Sequence, residues 1–339
     1  MFERIRQCTE DKTMTISEIA KLAGVSKASV SRYLNHGYVS EEKKQMIQRV
    51  IDETGYVPSR QAQILRTGKS RQIGVIVPKI NSESIGDMVA GISSVLNQNG
   101  LSMLLADTEN STEREFEYLE LFQQAQVEGV IFFATMQMPK HRALLQNYPV
   151  PVVALSQKSD YLSCVFNNDF QAAKEITALL LEKKPKHVGY IGVTQKDRAV
   201  GLERRAGFLE AMKQAKLEIL EDHMLITGFT LEDGNAAAQQ LFERAPETDA
   251  VFCATDTLAI GAMQYIKGIG KRIPEDVGIV GIGHSRMTEI VSPRLTTAHL
   301  FFEIAGAEAA QMLLQILDSG IDMKKQVKLG FEIIQQEST

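Results

Sequence analysis

Between Thr15 and Asn35 the chain reads TISEIAKLAGVSKASVSRYLN. Lys27, Ala28, Ser29, Ser31, Arg32 and Asn35 fall mainly on one outer face if the second half of this stretch is helical. A short helix with a small, polar, basic face can enter a DNA major groove. Its arginine can donate two hydrogen bonds to a guanine edge, and its alanine can pack on a thymine methyl. Catalytic chemistry is poorly represented by comparison. There is no GxSxG elbow, no HExxH and no CxxC pair, and the six histidines are scattered. Neither an enzyme, a metal site nor a cofactor is expected.

The elements that would hold this face follow from local signals. Thr15 with Glu18 three residues on predicts a capping box. Ile16, Ile19, Ala20 and Ala23 recur at helical spacing. Gly24 suits a left-handed exit, and Ser26 is placed to cap a second helix with Val30 and Leu34 inward. Ser40 is expected to cap a third helix with an inner face of Met46, Ile47, Val50 and Ile51, closed by Gly55. The outer face could equally be the solvated side of an ordinary helical hairpin.

Composition sets the bounds. The 339 residues suggest two or three domains, and 44% hydrophobic with 23% charged residues is ordinary for a globular chain. No apolar run is long enough to span a bilayer, and MFERIRQCTEDKT has no signal-peptide core. Cys8, Cys164 and Cys253 are few, odd in number and scattered, which predicts reduced thiols and a cytoplasmic location. The net charge of −5 is unevenly spread. Residues 1–71 carry 13 Lys and Arg against 8 Asp and Glu, whereas the remaining 268 carry 24 against 34. A basic head on an acidic body fits one domain touching phosphates while the rest stays off.

Residues 1–14 show no periodicity and are expected to be a disordered lead, with Met14 a candidate start. Residues 15–57 read as a helix-turn-helix headpiece and 58–71 as a hinge helix or linker. From Gln72 strands and helices alternate in two rounds, which predicts an α/β core of doubly wound parallel sheets in two lobes with a cleft between strand ends. Lobe one is expected near 72–163 and 301–326, and lobe two near 164–300 and 327–339. VKLGFEII (327–334) reads as one final strand.

AGVSKASVSRYLN resembles the AGVSxxTVSRxLN signature of the lactose-repressor family, with Ser29 where that family usually has threonine. The resemblance extends over nearly all of 14–339. It includes Arg204–Phe208, Ala254-Thr255-Asp256, the crossing from Pro293 to Thr297 and the closing Glu337-Ser338-Thr339. It implies a periplasmic-binding-protein-like core and a homodimer on palindromic operator DNA. Lys27, Ala28 and Arg32 would face bases, and Thr15, Ser26, Ser29, Ser31 and Asn35 would mostly hold phosphates. In the hinge, Ala62 would touch the minor-groove floor and Leu65 would wedge a base step.

The same resemblance places a sugar effector in the cleft. Arg204 matches a residue that grips it, and Thr255 and Asp256 end a strand there, with Thr255 in place of the usual asparagine. That pair could instead merely cap the next helix. The usual GlyXxxAspAsp becomes Gly281-Ile282-Gly283-His284, so Gly283 and His284 replace two carboxylates and make room for an anion. Lys79 at the cleft mouth would join Arg204 on a phosphate, or be a surface lysine. Phe301 or Phe302 would stack on a sugar ring or pack in the core. These features look most like the trehalose-repressor branch, with sucrose-type repressors the close rival. They predict a disaccharide or disaccharide-phosphate inducer that frees the operator, with no membrane partner.

Overall fold

The structure is a computed structural model that describes residues 14–34, 37–56, 69–133, 139–218 and 220–339. The expected lead at 1–13, Asn35, and the hinge residues Ala62 and Leu65 lie outside the described residues. The chain divides into two compact units, Met1–Ser70 and Arg71–Thr339.

The first unit holds α1 (Ile16–Leu22), α2 (Lys27–Leu34) and α3 (Glu41–Thr54). The Thr15–Glu18 capping box forms: the Glu18 amide donates to Thr15 Oγ1, and the Thr15 amide donates to Glu18 Oε2 at 2.7 Å. Gly24 takes φ +65°, which a side chain would strain, and this turns the chain sharply between α1 and α2. Ile19, Val30 and Ile47, one from each helix, are fully buried together. Ser40 precedes α3 as expected, but its side chain makes no capping hydrogen bond.

The second unit begins with β1 (Gln72–Val77), α4 (Glu83–Gln98), β2 (Ser102–Asp107), α5 (Thr112–Gln124), β3 (Gly129–Phe133), α6 (Pro139–Leu145), β4 (Val152–Leu155) and β5 (Ser163–Asn167). It continues with α7 (Asp169–Leu181), β6 (Val188–Val193), a π-helical turn at Arg198–Glu203, α8 (Arg204–Gln214), β7 (Met224–Thr227), α9 (Leu231–Arg244), β8 (Ala250–Cys253), α10 (Asp256–Gly268), β9 (Gly278–Gly283) and β10 (Thr296–Leu300). It ends with α11 (Phe302–Ser319), β11 (Gln326–Leu329) and β12 (Phe331–Ile334).

Two six-stranded sheets result, ordered β11-β5-β4-β3-β1-β2 and β12-β10-β9-β8-β6-β7. All pairings are parallel except β10 with β12. Helices cover both faces of each sheet, so the strands are nearly continuous apolar runs. Val75 and Ile131 face α4 and α11, while Ile76 and Phe132 face α5 and α6. In the second sheet Ile191 and Val251 face α9 and α10, and Tyr190 and Phe252 face α7 and α8. Helices α4 and α11 meet through Gly91 and Gly306, where an added Cβ would collide with the Glu303 and Met88 carbonyl oxygens respectively.

The lobe boundaries differ from expectation in two places. A break between 163 and 164 would cut β5, which pairs with β4 in the first sheet. The expected strand 327–334 is two strands: β11 pairs with β5, and β12 pairs with β10 in the other sheet. Gly330 lies between them, where the chain changes lobe. The lobes are therefore joined three times, after β5, after β10 and at Gly330.

Candidate functional site

On the headpiece, Lys27, Ala28 and Arg32 are exposed on α2, and Ser31 is half-buried. Among the described residues, neither the Lys27 ammonium nor the Arg32 guanidinium has a partner, so both keep their donors for a ligand. Ser26 caps α2 by accepting from the Ser29 amide at 3.1 Å. Ser29 departs from the expected outward position. It is buried, and its hydroxyl lies 2.9 Å from Ser26 Oγ, so it braces the cap. Tyr33 of α2 hydrogen-bonds Gln48 of α3, which fixes the outer helix on its support.

In the second unit a cavity of about 420 Å³ lies between the lobes, within the range of small-molecule sites. Lys79, Arg204, Thr255, Asp256, Gly283, His284 and Phe302 all line it. Phe301 does not: its ring meets His299 edge-on, with centroids 4.7 Å apart. Phe302 also packs against the apolar cores of both lobes.

Most of these side chains are already engaged. Arg204 is buried, with Nε 2.8 Å from Asp169 Oδ1 and Nη1 donating to the Ala254 carbonyl at 2.6 Å. Its Nη2 makes no hydrogen bond among the described residues. Thr255 caps α10 by accepting from the Leu258 amide at 3.3 Å, which is the capping alternative for this position. Asp256 accepts from Thr297 Oγ1 at 2.5 Å and from the Ser285 amide at 2.8 Å, tying β10 to the turn after β9. Gly283 packs under it: a Cβ there would stand 3.0 Å from Asp256 Oδ2. His284 lies with Nε2 3.1 Å from Glu289 Oε1 and Nδ1 3.1 Å from His299 Nδ1.

Replacing two carboxylates by Gly283 and His284 does not leave the cleft short of negative charge. Glu83, Asp87, Asp169, Asp197, Glu232 and Asp256 line it, against Lys79 and Arg204. Asp197 comes from the loop after β6, where it accepts from the Val200 amide at 2.9 Å. Burial pushes the carboxyls of Asp87, Asp197 and Asp256 above their ordinary range. Lys79 lies over the Phe229 ring at 4.4 Å; burial lowers its pKa, while the nearby Asp197 and Asp233 oppose that shift. Arg204 is thus paired within the protein and Lys79 is stacked beside nearby carboxylates, which leaves them less free for a phosphate than their types alone suggest.

Sequence reading missed Asn167, Asp169 and Asp197. The first two sit in ValPheAsnAsnAsp, a string legible as a motif but not as a cation's partner. Asn167 is 7% exposed, and its Oδ1 has no hydrogen-bond partner among the described residues, which marks it as an acceptor for a ligand donor.

Comparison with known proteins agrees with this division of the chain. Residues 15–59 match the model of bacterial regulatory proteins of the lacI family, and residues 70–337 match that of periplasmic binding proteins and the sugar binding domain of the same family. The chain belongs to the lacI family of transcription regulators. It is 33% identical over 302 residues to a sucrose operon repressor of Staphylococcus xylosus, covering 89% of this chain and 93% of that protein. A transcriptional regulator CelR–cellobiose complex superposes with a TM-score of 0.74 at 26% identity, covering 96% of this chain and all of that one. A lac repressor dimer bound to operator superposes with a TM-score of 0.89 over 97% of this chain and 99% of that one. Its 21% identity establishes the shared fold. Among the described residues, no helix is long and apolar enough to cross a membrane.

Proposed function

We propose that this regulator represses a sugar-utilisation operon and is released from its operator when a disaccharide, neutral or phosphorylated, closes the interlobe cleft. The observation that carries this reading is the carboxylate-rich cavity of about 420 Å³ between lobes that three crossings hinge together. Carboxylates accept hydrogen bonds from sugar hydroxyls without needing a ligand charge. The names of the sucrose operon repressor and the cellobiose complex support a disaccharide.

In this reading the protein is a cytoplasmic homodimer and not an enzyme. Two headpieces meet the halves of a palindrome. Lys27, Ala28 and Arg32 read base edges. Thr15, Ser26, Ser31 and Asn35 hold phosphates, and Ala62 with Leu65 enters the minor groove. Ser29 acts by supporting the Ser26 cap. The effector binds the closed lobes better than the open ones, and only that difference can shift the operator-bound population.

Labelled operator, purified protein and a panel of neutral and phosphorylated disaccharides test this together. Retention of the DNA, relieved by one sugar, is the expected result. Turnover of a sugar, or sugar binding without operator binding, would replace the regulator by an enzyme or a plain binding module. The trehalose-type and sucrose-type sugars are separated by which one releases the operator at the lowest concentration.

A further inference from the structure

A second cavity, of about 450 Å³, adjoins the cleft on its hinge side. It is built from both lobes: Lys158 follows β4, Lys328 lies on β11, and Arg198 starts the π-helical turn of lobe two. Its carboxylates are Glu203 and Asp169, and Asp169 is already neutralised by Arg204 at 2.8 Å. Among the described residues Lys158, Arg198 and Lys328 line it against Glu203 and the already paired Asp169, the reverse of the main cleft. Arg198 and Lys328 form no ion pair among the described residues.

Two further features point into this space. Helix α7 begins there, with Asn168, Asp169 and Phe170 on the cavity wall. Asn168 stands at its N-cap but makes no side-chain capping bond, so among the described residues no side chain is bonded to the first amides of a 13-residue helix. Such amides, with the positive end of the helix dipole, suit an oxyanion. Asn167, the buried residue with the unpartnered Oδ1, lines both cavities and stands where they join.

We propose that this second cavity is the phosphoryl subsite of a phosphorylated sugar whose ring lies in the main cleft. Asn167 Oδ1 accepts from a ring hydroxyl at the junction. The phosphoryl oxygens take charge-assisted bonds from Arg198, Lys158 and Lys328 and from the first amides of α7. Arg204, paired with Asp169, and Lys79, over the Phe229 ring, line the ring end. Because the two cavities draw on both lobes, a ligand spanning them ties the lobes at two points. This inference rests on the sugar-effector reading and adds the class of sugar.

Calorimetry on the full chain tests it, with sucrose, trehalose, their 6-phosphates and inorganic phosphate as probes. One phosphorylated disaccharide should bind at least about tenfold more tightly than its neutral parent. Arg198→Ala combined with Lys328→Ala should abolish that ratio, and the preference should shrink with added salt. Equal affinity for a sugar and its phosphate in the unaltered protein overturns the subsite and leaves the sugar reading standing. So does a preference that survives the double substitution. Inorganic phosphate binding that is lost in the double variant, with no sugar bound, keeps the anion site and overturns the disaccharide reading. No heat from any probe overturns both.

Discussion

Arg204 lines the cleft with its guanidinium divided between two tasks. Its type and its place in RRAGF make it a ligand-gripping candidate from sequence, yet two of its nitrogens hold Asp169 and the Ala254 carbonyl. The partner could not be read from sequence, because Asp169 lies 35 positions earlier and meets it only once two helices pack. Removing one member of a buried pair leaves the other charge unpaired. Arg204→Ala should therefore lower unfolding stability by about 3–5 kcal/mol, read from urea melts. A loss below about 1 kcal/mol would show that Asp169 finds water or another donor instead. The headpiece cations present the opposite case. Lys27 and Arg32 are exposed and have no partner among the described residues, so Lys27→Ala and Arg32→Ala should leave melting unchanged and each weaken operator binding by roughly 1–3 kcal/mol. Unaltered gel-shift affinity in both would mean that α2 does not carry the base contacts.

Elements were legible where a local signal decides them. The Thr15–Glu18 box, the Gly24 turn and the Gly55 stop of α3, which takes φ +64°, all form as the sequence implies. The split of 327–334 at Gly330 was not legible, since both halves are good strands and only the sheets they join tell them apart. Close helix packing is equally silent in sequence. Gly306→Ala should destabilise by about 1–3 kcal/mol, although alanine is the better helix former, because its Cβ meets the Met88 carbonyl of α4. A neutral or positive change in melting temperature would show that α4 and α11 can slide apart. On β10, His299 is held below its ordinary pKa of 6.5 by burial first and by the neighbouring His284 second, with Glu332 and Asp87 opposing. The folded state thus favours the neutral ring, whereas the unfolded chain takes up the proton at higher pH. The stability this brings is full above the ordinary histidine value and is lost as pH falls through the depressed one. Melting temperature should drop more steeply between about pH 7 and about pH 5 in the unaltered protein than in His299→Gln.

At the scale of the whole second unit, closure is where binding becomes regulation. The cleft was expected from two α/β rounds with a late return, and its position at the strand ends agrees. Its charge was not, because Asp197 and Asp87 arrive from loops and helices whose orientation depends on the packed lobes. Besides Lys79 over the Phe229 ring, a polar contact crosses the mouth. The Arg286 amide, on the lobe-two loop after β9, donates to Glu83 Oε1 at the start of α4 at 2.9 Å, and its Nε lies 3.5 Å from the same oxygen. The Arg286 side chain is 88% exposed, so solvent screens this pair and it contributes little to closure by itself. So weak a clasp leaves a ligand in the cleft room to set the closed state, which is what an effector-driven switch requires. Glu83→Ala should change unfolding stability by less than about 1 kcal/mol and effector affinity by less than about fivefold. Operator affinity without effector should not move. Small-angle scattering on the isolated second unit, Arg71–Thr339, with and without a releasing sugar, supplies the other half of the test. Compaction on sugar addition should be equal in the Glu83→Ala and unaltered proteins. A variant that stays open with sugar bound would mean that the clasp, rather than the ligand, sets the closed state.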